Sequence, residues 1–303
     1  MPQELVDMIV AHLHIDTIAL QALSLVSQSW RVPAQRFLFV SIALRDGNLS
    51  TRVELFRHFL SGSPWIAAYI EELELSGPNA QIAMNALDMD LLWNLLQVLP
   101  RLRSLAIVLL NVRAGVRADA YTPFPLEQLT LRWLQVADLM ALLQLFSPIG
   151  ALDIAQIREQ HTHTSQAPIR PWLSLRELTL SSGFHNTLAL LVPSLASCTT
   201  LRCWVPVGVC AVLNDALRRL GASVVSLEIE LQSYDVAANA TLDLAPCTAL
   251  RRVHIYAGYW ANKSWPDLLR FLDLLPPSVR VLDRKSTRLN SSHSGESRMP
   301  SSA

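Results

Sequence analysis

The segments Leu126-Glu-Gln-Leu-Thr-Leu131 and Leu175-Arg-Glu-Leu-Thr-Leu180 decide how this chain is read. In each, an apolar residue is followed three positions later by a second and two positions after that by a third. A spacing of two is strand spacing: it turns the fourth and sixth residues to one side and leaves the fifth on the other. The frame recurs as Ile70-Leu73-Leu75, Leu102-Leu105-Ile107, Ile149-Leu152-Ile154, Leu201-Trp204-Pro206, Val224-Leu227-Ile229 and Leu250-Val253-Ile255. Between middle residues the steps are 32, 24, 23, 26, 26, 23 and 26, and a near-constant period of that size marks an array of stacked units.

Apolar stretches of helical character lie between the strand segments, at Leu91 to Leu99, Leu139 to Phe146, Leu188 to Ala196, Ala211 to Leu220 and Leu268 to Leu275. Each unit is thus one strand and one helix, an α/β arrangement in which neighbouring units stack into a curved parallel solenoid with outer helices. These units resemble a leucine-rich-repeat protein, in an irregular form similar to that of the large fungal F-box families. The asparagine or cysteine that the resemblance implies three residues after the strand is missing, with Pro78, Leu110 and Leu134 standing there in the first three units. Those side chains normally satisfy loop backbone groups, so the loops must be tied down otherwise. Pro206 weakens the sixth strand. The alternative is an ordinary doubly wound α/β domain. The chain has only ten glycines and no G-x-G-x-x-G, which argues against a phosphate cradle of Rossmann or P-loop type.

The first residues have another character. After Pro2, Leu5, Ile9 and Leu13 recur four apart with Met8 on the same side, which predicts a short amphipathic helix. Asp16 is a suitable N-cap before Leu20, Leu23 and Ser24-Leu-Val-Ser-Gln-Ser-Trp30, followed by Pro33 and Phe37-Leu-Phe39. Two or three small helices fit. A unit of about forty residues is near the lower limit for folding alone, and its apolar surface exceeds what three short helices can hide, so it is expected to dock on something.

Pro2, Glu4-Leu5, Ile9, Ser24 to Trp30 and Leu38-Phe39 before a strand-like end together resemble an F-box over roughly the first 44 residues. Met1 stands where that family usually has a leucine inside a longer leader, so the natural start is expected to be longer. The resemblance implies that Pro2, Leu5, Ile9, Leu13, Leu25, Val26 and Trp30 divide between the module's own core and contact with a Skp-type adaptor, which binds a cullin scaffold. The organisation expected is an F-box at 1–44, a linking helical segment at 45–69, the repeat region at 70–283 and a disordered tail at 284–303. That tail has seven serines and resembles translated adapter or vector sequence. It begins just as Val279-Arg-Val-Leu282 opens a ninth strand, so the repeats are expected to continue in the natural protein.

Composition narrows the function. The 25 basic and 25 acidic residues cancel; without residues 284–303 there are 21 and 24, a net of −3. No global field is available to hold nucleic acid or an anionic membrane. No apolar run approaches the ~20 residues of a membrane span, and no signal peptide opens the sequence, so a cytoplasmic or nuclear location is expected. Cys198, Cys203, Cys210 and Cys247 lack zinc-ligand spacing and read as reduced core thiols. His161-Thr-His163, in the polar stretch Gln156 to Pro171, is at most half of a metal site. No nucleophile elbow, metalloprotease helix or kinase signature is present, and a hydrolase built on His185 or His254 has no supporting constellation.

The expectation is a non-catalytic substrate adaptor of a Skp-cullin-F-box ubiquitin ligase, needing no cofactor. The outward strand positions would form the face that reads an unknown protein substrate: Glu72, Glu74, Gln128, Thr130, Arg132, Asp153, Glu177, Thr179, Glu228, Glu230, Arg252, His254 and Tyr256. The alternative function is a free-standing repeat scaffold whose N-terminal helices only cap the first repeat. Burial of Leu5, Ile9 and Trp30 against Ile70 to Leu75 would mark a cap, whereas outward projection would mark recruitment.

Overall fold

The computed structural model describes residues 1–78, 86–115, 121–159, 175–181, 187–188, 191–205, 210–231, 243–257, 275–279 and 281–286. Side chains are described there except at 194, 205, 210, 211, 230, 231, 255–257 and 281–286. Helices α1 (Gln3–His12), α2 (Thr17–Val26) and α3 (Gln28–Phe39) come first, then β1 (Ser41–Arg45), α4 (Leu49–Gly62) and α5 (Pro64–Ala67). There follow β2 (Glu72–Ser76), β3 (Ala86–Asp88), α6 (Met89–Leu96), β4 (Ser104–Val108), β5 (Asn111–Arg113), β6 (Phe124–Val136), α7 (Leu139–Gln144) and β7 (Phe146–Glu159). The last elements are β8 (Glu177–Ser181), β9 (Thr200–Val205), α8 (Cys210–Leu220), β10 (Ser226–Leu231), β11 (Arg252–Ala257) and β12 (Val281–Ser286).

All twelve strands among the described residues join one parallel sheet in the order β1-β2-β4-β6-β7-β8-β9-β10-β11-β12, with β3 and β5 pairing beside the path and β5 also meeting β6. The order rises with sequence throughout, so the reversal that defines a doubly wound sheet is absent among the described strands. Two apolar ladders run along the path. In register stand Leu73, Leu105, Leu129, Leu152, Leu178, Leu201, Leu227 and Val253, and beside them Leu75, Ile107, Leu131, Ile154, Leu180, Cys203 and Ile229. Every one is buried, as are the preceding apolar residues Ile70, Leu102, Leu126, Ile149, Leu175, Cys198, Val224 and Leu250.

The register corrects the sequence reading in three places. The sixth unit is Cys198-Leu201-Cys203, three residues earlier than Leu201-Trp204-Pro206, so Trp204 lies on the outward row beside Glu230; Pro206 is outside the described residues. Ser41–Arg45, expected as the strand-like end of the F-box-like segment, is the first strand of the repeat sheet, its Ile42 pairing with Leu73. Val281–Ser286 pairs with β11, carrying the sheet three residues into the stretch expected as a tail, while 287–303 are outside the described residues.

The uneven spacing of the apolar positions has a backbone cause. At the start of most rungs two consecutive amides converge on one carbonyl of the preceding strand. Glu71 and Glu72 donate to Val40, Arg103 and Ser104 to Glu71, Glu127 and Gln128 to Arg103, Thr199 and Thr200 to Arg176, and Arg251 and Arg252 to Val225. That doubling inserts one extra residue, as in a β-bulge. A second irregularity follows: Leu109, Trp133 and Gln156, each four residues past its rung, have φ of 58°, 59° and 52°. The left-handed residue breaks the alternation, so Trp133 faces out while Leu110 and Leu134 turn in and are buried. The Leu109 amide donates to Arg132 and the Gln135 amide to Leu110, which satisfies the loop backbone that has no asparagine.

Helices α4, α6, α7 and α8 complete this core through Leu49, Val53 and Leu60, Leu92, Leu95 and Leu96, Leu139, Leu142 and Leu143, and Leu213, Leu217 and Leu220. The segment expected as a helical link at 45–69 holds α4 and α5 and contributes Leu49, Val53, Leu60, Ile66 and Ala67 to this core. Of the expected helices, Leu188 to Ala196 includes a 3-10 turn at Val192–Ser194 and is only partly described, and Leu268 to Leu275 is almost wholly outside the described residues. The first three helices have a separate core of Val6, Val10, Leu20 and Ala34, with Asp16 capping α2 through the Ala19 amide at 2.9 Å as expected.

Gly150 stands in β7 where a Cβ would lie 2.6 Å from the Glu127 backbone carbonyl oxygen. Backbone cannot yield as a flexible side chain can, so Gly150→Ala is expected to lower unfolding free energy by about 1–3 kcal/mol. Urea unfolding followed by circular dichroism checks this; unchanged stability would show that the strand pair relaxes freely.

Candidate interaction surfaces

Two surfaces stand out, one on the helical cluster and one on the sheet. In α1, Val6 and Val10 face the small core while Leu5 and Ile9, 46% and 40% exposed, point to solvent with Met8. Those three lie at i, i+3 and i+4 and so form one stripe. Helix α2 has no charged residue, and after burying Leu20 it leaves Ile18, Leu25 and Val26 outside, the last two 82% and 65% exposed. Exposed apolar side chains grouped on one small unit are characteristic of a covered surface.

Of the seven residues singled out in this region, Pro2, Leu5, Ile9, Leu25 and Val26 are exposed. Leu13 and Trp30 are half-buried and pack on the helical core. The buried set around Ile70, Leu73 and Leu75 is a different cluster. Met8, Ile15, Ile18 and Val32 are also exposed and were not singled out; Ile15 and Ile18 flank the N-cap, where helical periodicity is only beginning.

On the sheet, the residues between ladder positions face out in rows. Arg45 grips Glu74 on the neighbouring strand through Nε and Nη2 at 3.1 and 3.2 Å. Arg132 holds Asp153 across β6 and β7 through Nε and Nη2, both donating to Oδ2, and Arg202 holds Glu228 across β9 and β10 at 3.1 Å. At the rim, Arg103 lies between Glu71 and Glu127 at 3.9 and 3.7 Å. Such pairs add little stability, about 0–1 kcal/mol each, but they cancel the charge of the face locally. Glu74, Arg132, Asp153 and Glu228 are therefore engaged with partners on the protein itself.

Among the other expected face residues, Glu72, Gln128, Glu177 and Arg252 are exposed, and Thr130, Thr179 and His254 are half-buried. The side chains of Glu230 and Tyr256 lie outside the described residues, although their backbones pair in register. Arg45, Arg202 and Trp204 are members that sequence reasoning missed. The outward alternation within β1 and a sixth frame begun at Cys198 would have found them.

His161, His163 and His185 are outside the described residues. Among the described residues no group of three or more His, Cys, Asp or Glu side chains is placed to hold a metal ion, and no described helix is long and apolar enough to cross a membrane. Cys198, Cys203 and Cys247 are buried and free; the side chain of Cys210 is not described. The sequence matches no protein-family model and no curated protein.

Burial pushes the Cys198 and Cys247 thiols up to about 11 and Cys203 higher still. Thiolate is the reactive form, so at pH 8 these three should resist an aromatic disulfide reagent in the native protein and react promptly in guanidinium. At most one fast-reacting thiol, Cys210, is expected without denaturant. Two or more would mean that the core opens on the assay's timescale.

Proposed function

We propose that the chain is a two-part, non-catalytic adaptor of a ubiquitin ligase, in which the F-box-like helices bind a Skp-type protein and a leucine-rich-repeat-like arc binds the substrate. The observation that carries this reading is the outward set Leu5, Ile9, Leu25 and Val26 on a helical cluster that has its own core. A cap over the first repeat would turn those side chains toward Leu73 and Leu75, and they project away. The reading of the sheet as one side of a curved solenoid is supported by its parallel strands in unbroken sequence order and by helices sharing the core along its length.

The mechanism that follows is proximity. Through the adaptor and a cullin, a partner enzyme carrying activated ubiquitin is held near a substrate bound on the repeat arc. Reaction between bound partners gains the entropy already spent in positioning them. This chain contributes binding surfaces and a fixed geometry, in a cytoplasmic or nuclear setting.

The test is capture of the Skp-type adaptor from a eukaryotic lysate by the tagged full chain, beside a variant with Leu5, Ile9, Leu25 and Val26 all changed to serine. Exposed positions tolerate such changes within about 0.5 kcal/mol each, so the variant should keep its unfolding midpoint and lose the adaptor. Val10→Ser, at a buried position, should instead unfold the cluster. No capture by the parent would replace the ligase reading with a free-standing repeat scaffold.

A further inference from the structure

The sheet face is not uniform. Where β8, β9 and β10 meet, it sinks into a depression of about 170 Å³ lined by Thr179, Ser181, Arg202, Trp204 and Glu228 among others. That volume is below the roughly 300 Å³ at which sites for free small molecules begin, and it suits one side chain of a larger partner. Arg202 and Glu228 are direct cross-strand neighbours joined through Nε at 3.1 Å, and Thr179 stands in register with Arg202 on the other side.

The chemistry of the lining selects its occupant. An arginine–carboxylate pair sets donors and acceptor oxygens side by side. An incoming carboxylate is repelled by Glu228 and an incoming ammonium by Arg202, while an apolar group leaves both without compensation for lost water. A neutral group with donor and acceptor in one plane meets both, and among side chains that is the carboxamide of asparagine or glutamine. Trp204 adds a second requirement: its indole Nε1 is buried without an acceptor among the described residues, a condition uncommon in native proteins, and a carboxamide oxygen is an acceptor.

We propose that this depression is the specificity subsite of the sheet face and takes the side-chain carboxamide of an Asn or Gln presented by a partner protein. The proposal rests on the sheet being the partner-reading surface, and it deepens that reading by naming the chemistry read.

The probe is a phage-displayed library of random dodecapeptides panned on the immobilised full chain, with enriched sequences resynthesised and titrated by calorimetry. The expected consensus holds one fixed Asn or Gln. Replacing it by the matching acid should weaken binding about tenfold or more, as loss of a paired polar contact does. Trp204→Phe, which keeps a ring and removes the N–H, and Arg202→Met should each do the same with the unfolding midpoint retained. Arg218→Met, on helix α8 and off the sheet face, should leave binding unchanged. No enriched sequence, a consensus without a carboxamide, or affinity indifferent to Arg202→Met would overturn the proposal. Adaptor capture is read separately on the helical cluster: its failure with intact peptide binding removes the ligase role and leaves the subsite, and the converse removes the subsite alone.

Discussion

The inward ladders constrain the rest of this molecule. In a parallel sheet laid down in sequence order, strands stand about 4.8 Å apart, so a side chain in either inward row is enclosed by the same position of the strands before and after it. A polar group there would lose water without gaining a partner, at about 1–3 kcal/mol. The rows from Leu73 to Val253 and from Leu75 to Ile229 accordingly hold only Leu, Ile, Val and one Cys. One unit alone cannot close this core. The ladder gains only when the next rung is added, which is the nearest-neighbour energetics expected of stacked repeats.

That constraint also explains a backbone feature which would be a cost in isolation. Leu109, Trp133 and Gln156 are left-handed, a conformation that costs an L-residue about 1–2 kcal/mol. The return is an extra inward position in the same strand. Burying a leucine such as Leu110 or Leu134 is worth about 1.5–3 kcal/mol, and the Gln135 and Ala137 amides beyond the bend donate to the Leu110 and Val112 carbonyls of the preceding unit. Three adjacent units repeat the bend in register, so each supports its neighbour's. The loops of these units are tied by main-chain pairing and a buried leucine.

The ladder was legible in the sequence because burial forces chemistry on it, and most of its strands follow from spacing alone. Its first rung was not: Phe39, Ile42 and Leu44 repeat the pattern, but only Val40 separates β1 from α3, so this strand was read as the end of the F-box-like segment and not as part of the ladder. The sixth rung was misframed because Cys198 and Cys203 fill places held elsewhere by Leu, Ile or Val, while the large apolar Trp204 sits just outside the frame. The outward positions followed once the frame was set. Their pairing did not, since which arginine reaches which carboxylate depends on register between units more than twenty residues apart, as for Arg45 with Glu74 and Arg132 with Asp153.

Those pairs bear on how a face of this kind can discriminate. With Arg45, Arg132 and Arg202 each engaged across a strand boundary, an anionic partner would have to break an ion pair before gaining any of these three arginines. At these positions discrimination falls to shape and to uncharged hydrogen bonding, which screening by salt weakens little. The join between the two cores complements this. Only Val40 separates α3 from β1, its carbonyl accepts the amides of both Glu71 and Glu72 at 2.9 Å, and Phe39, Trp65 and Tyr69 stack edge to face across it at 6.4 and 6.2 Å. A flexible tether would spread a bound partner over many distances and dilute its effective concentration. A join made of one residue, two shared hydrogen bonds and an aromatic stack fixes the distance instead, so in the proposed adaptor role selectivity would come from position as well as from affinity.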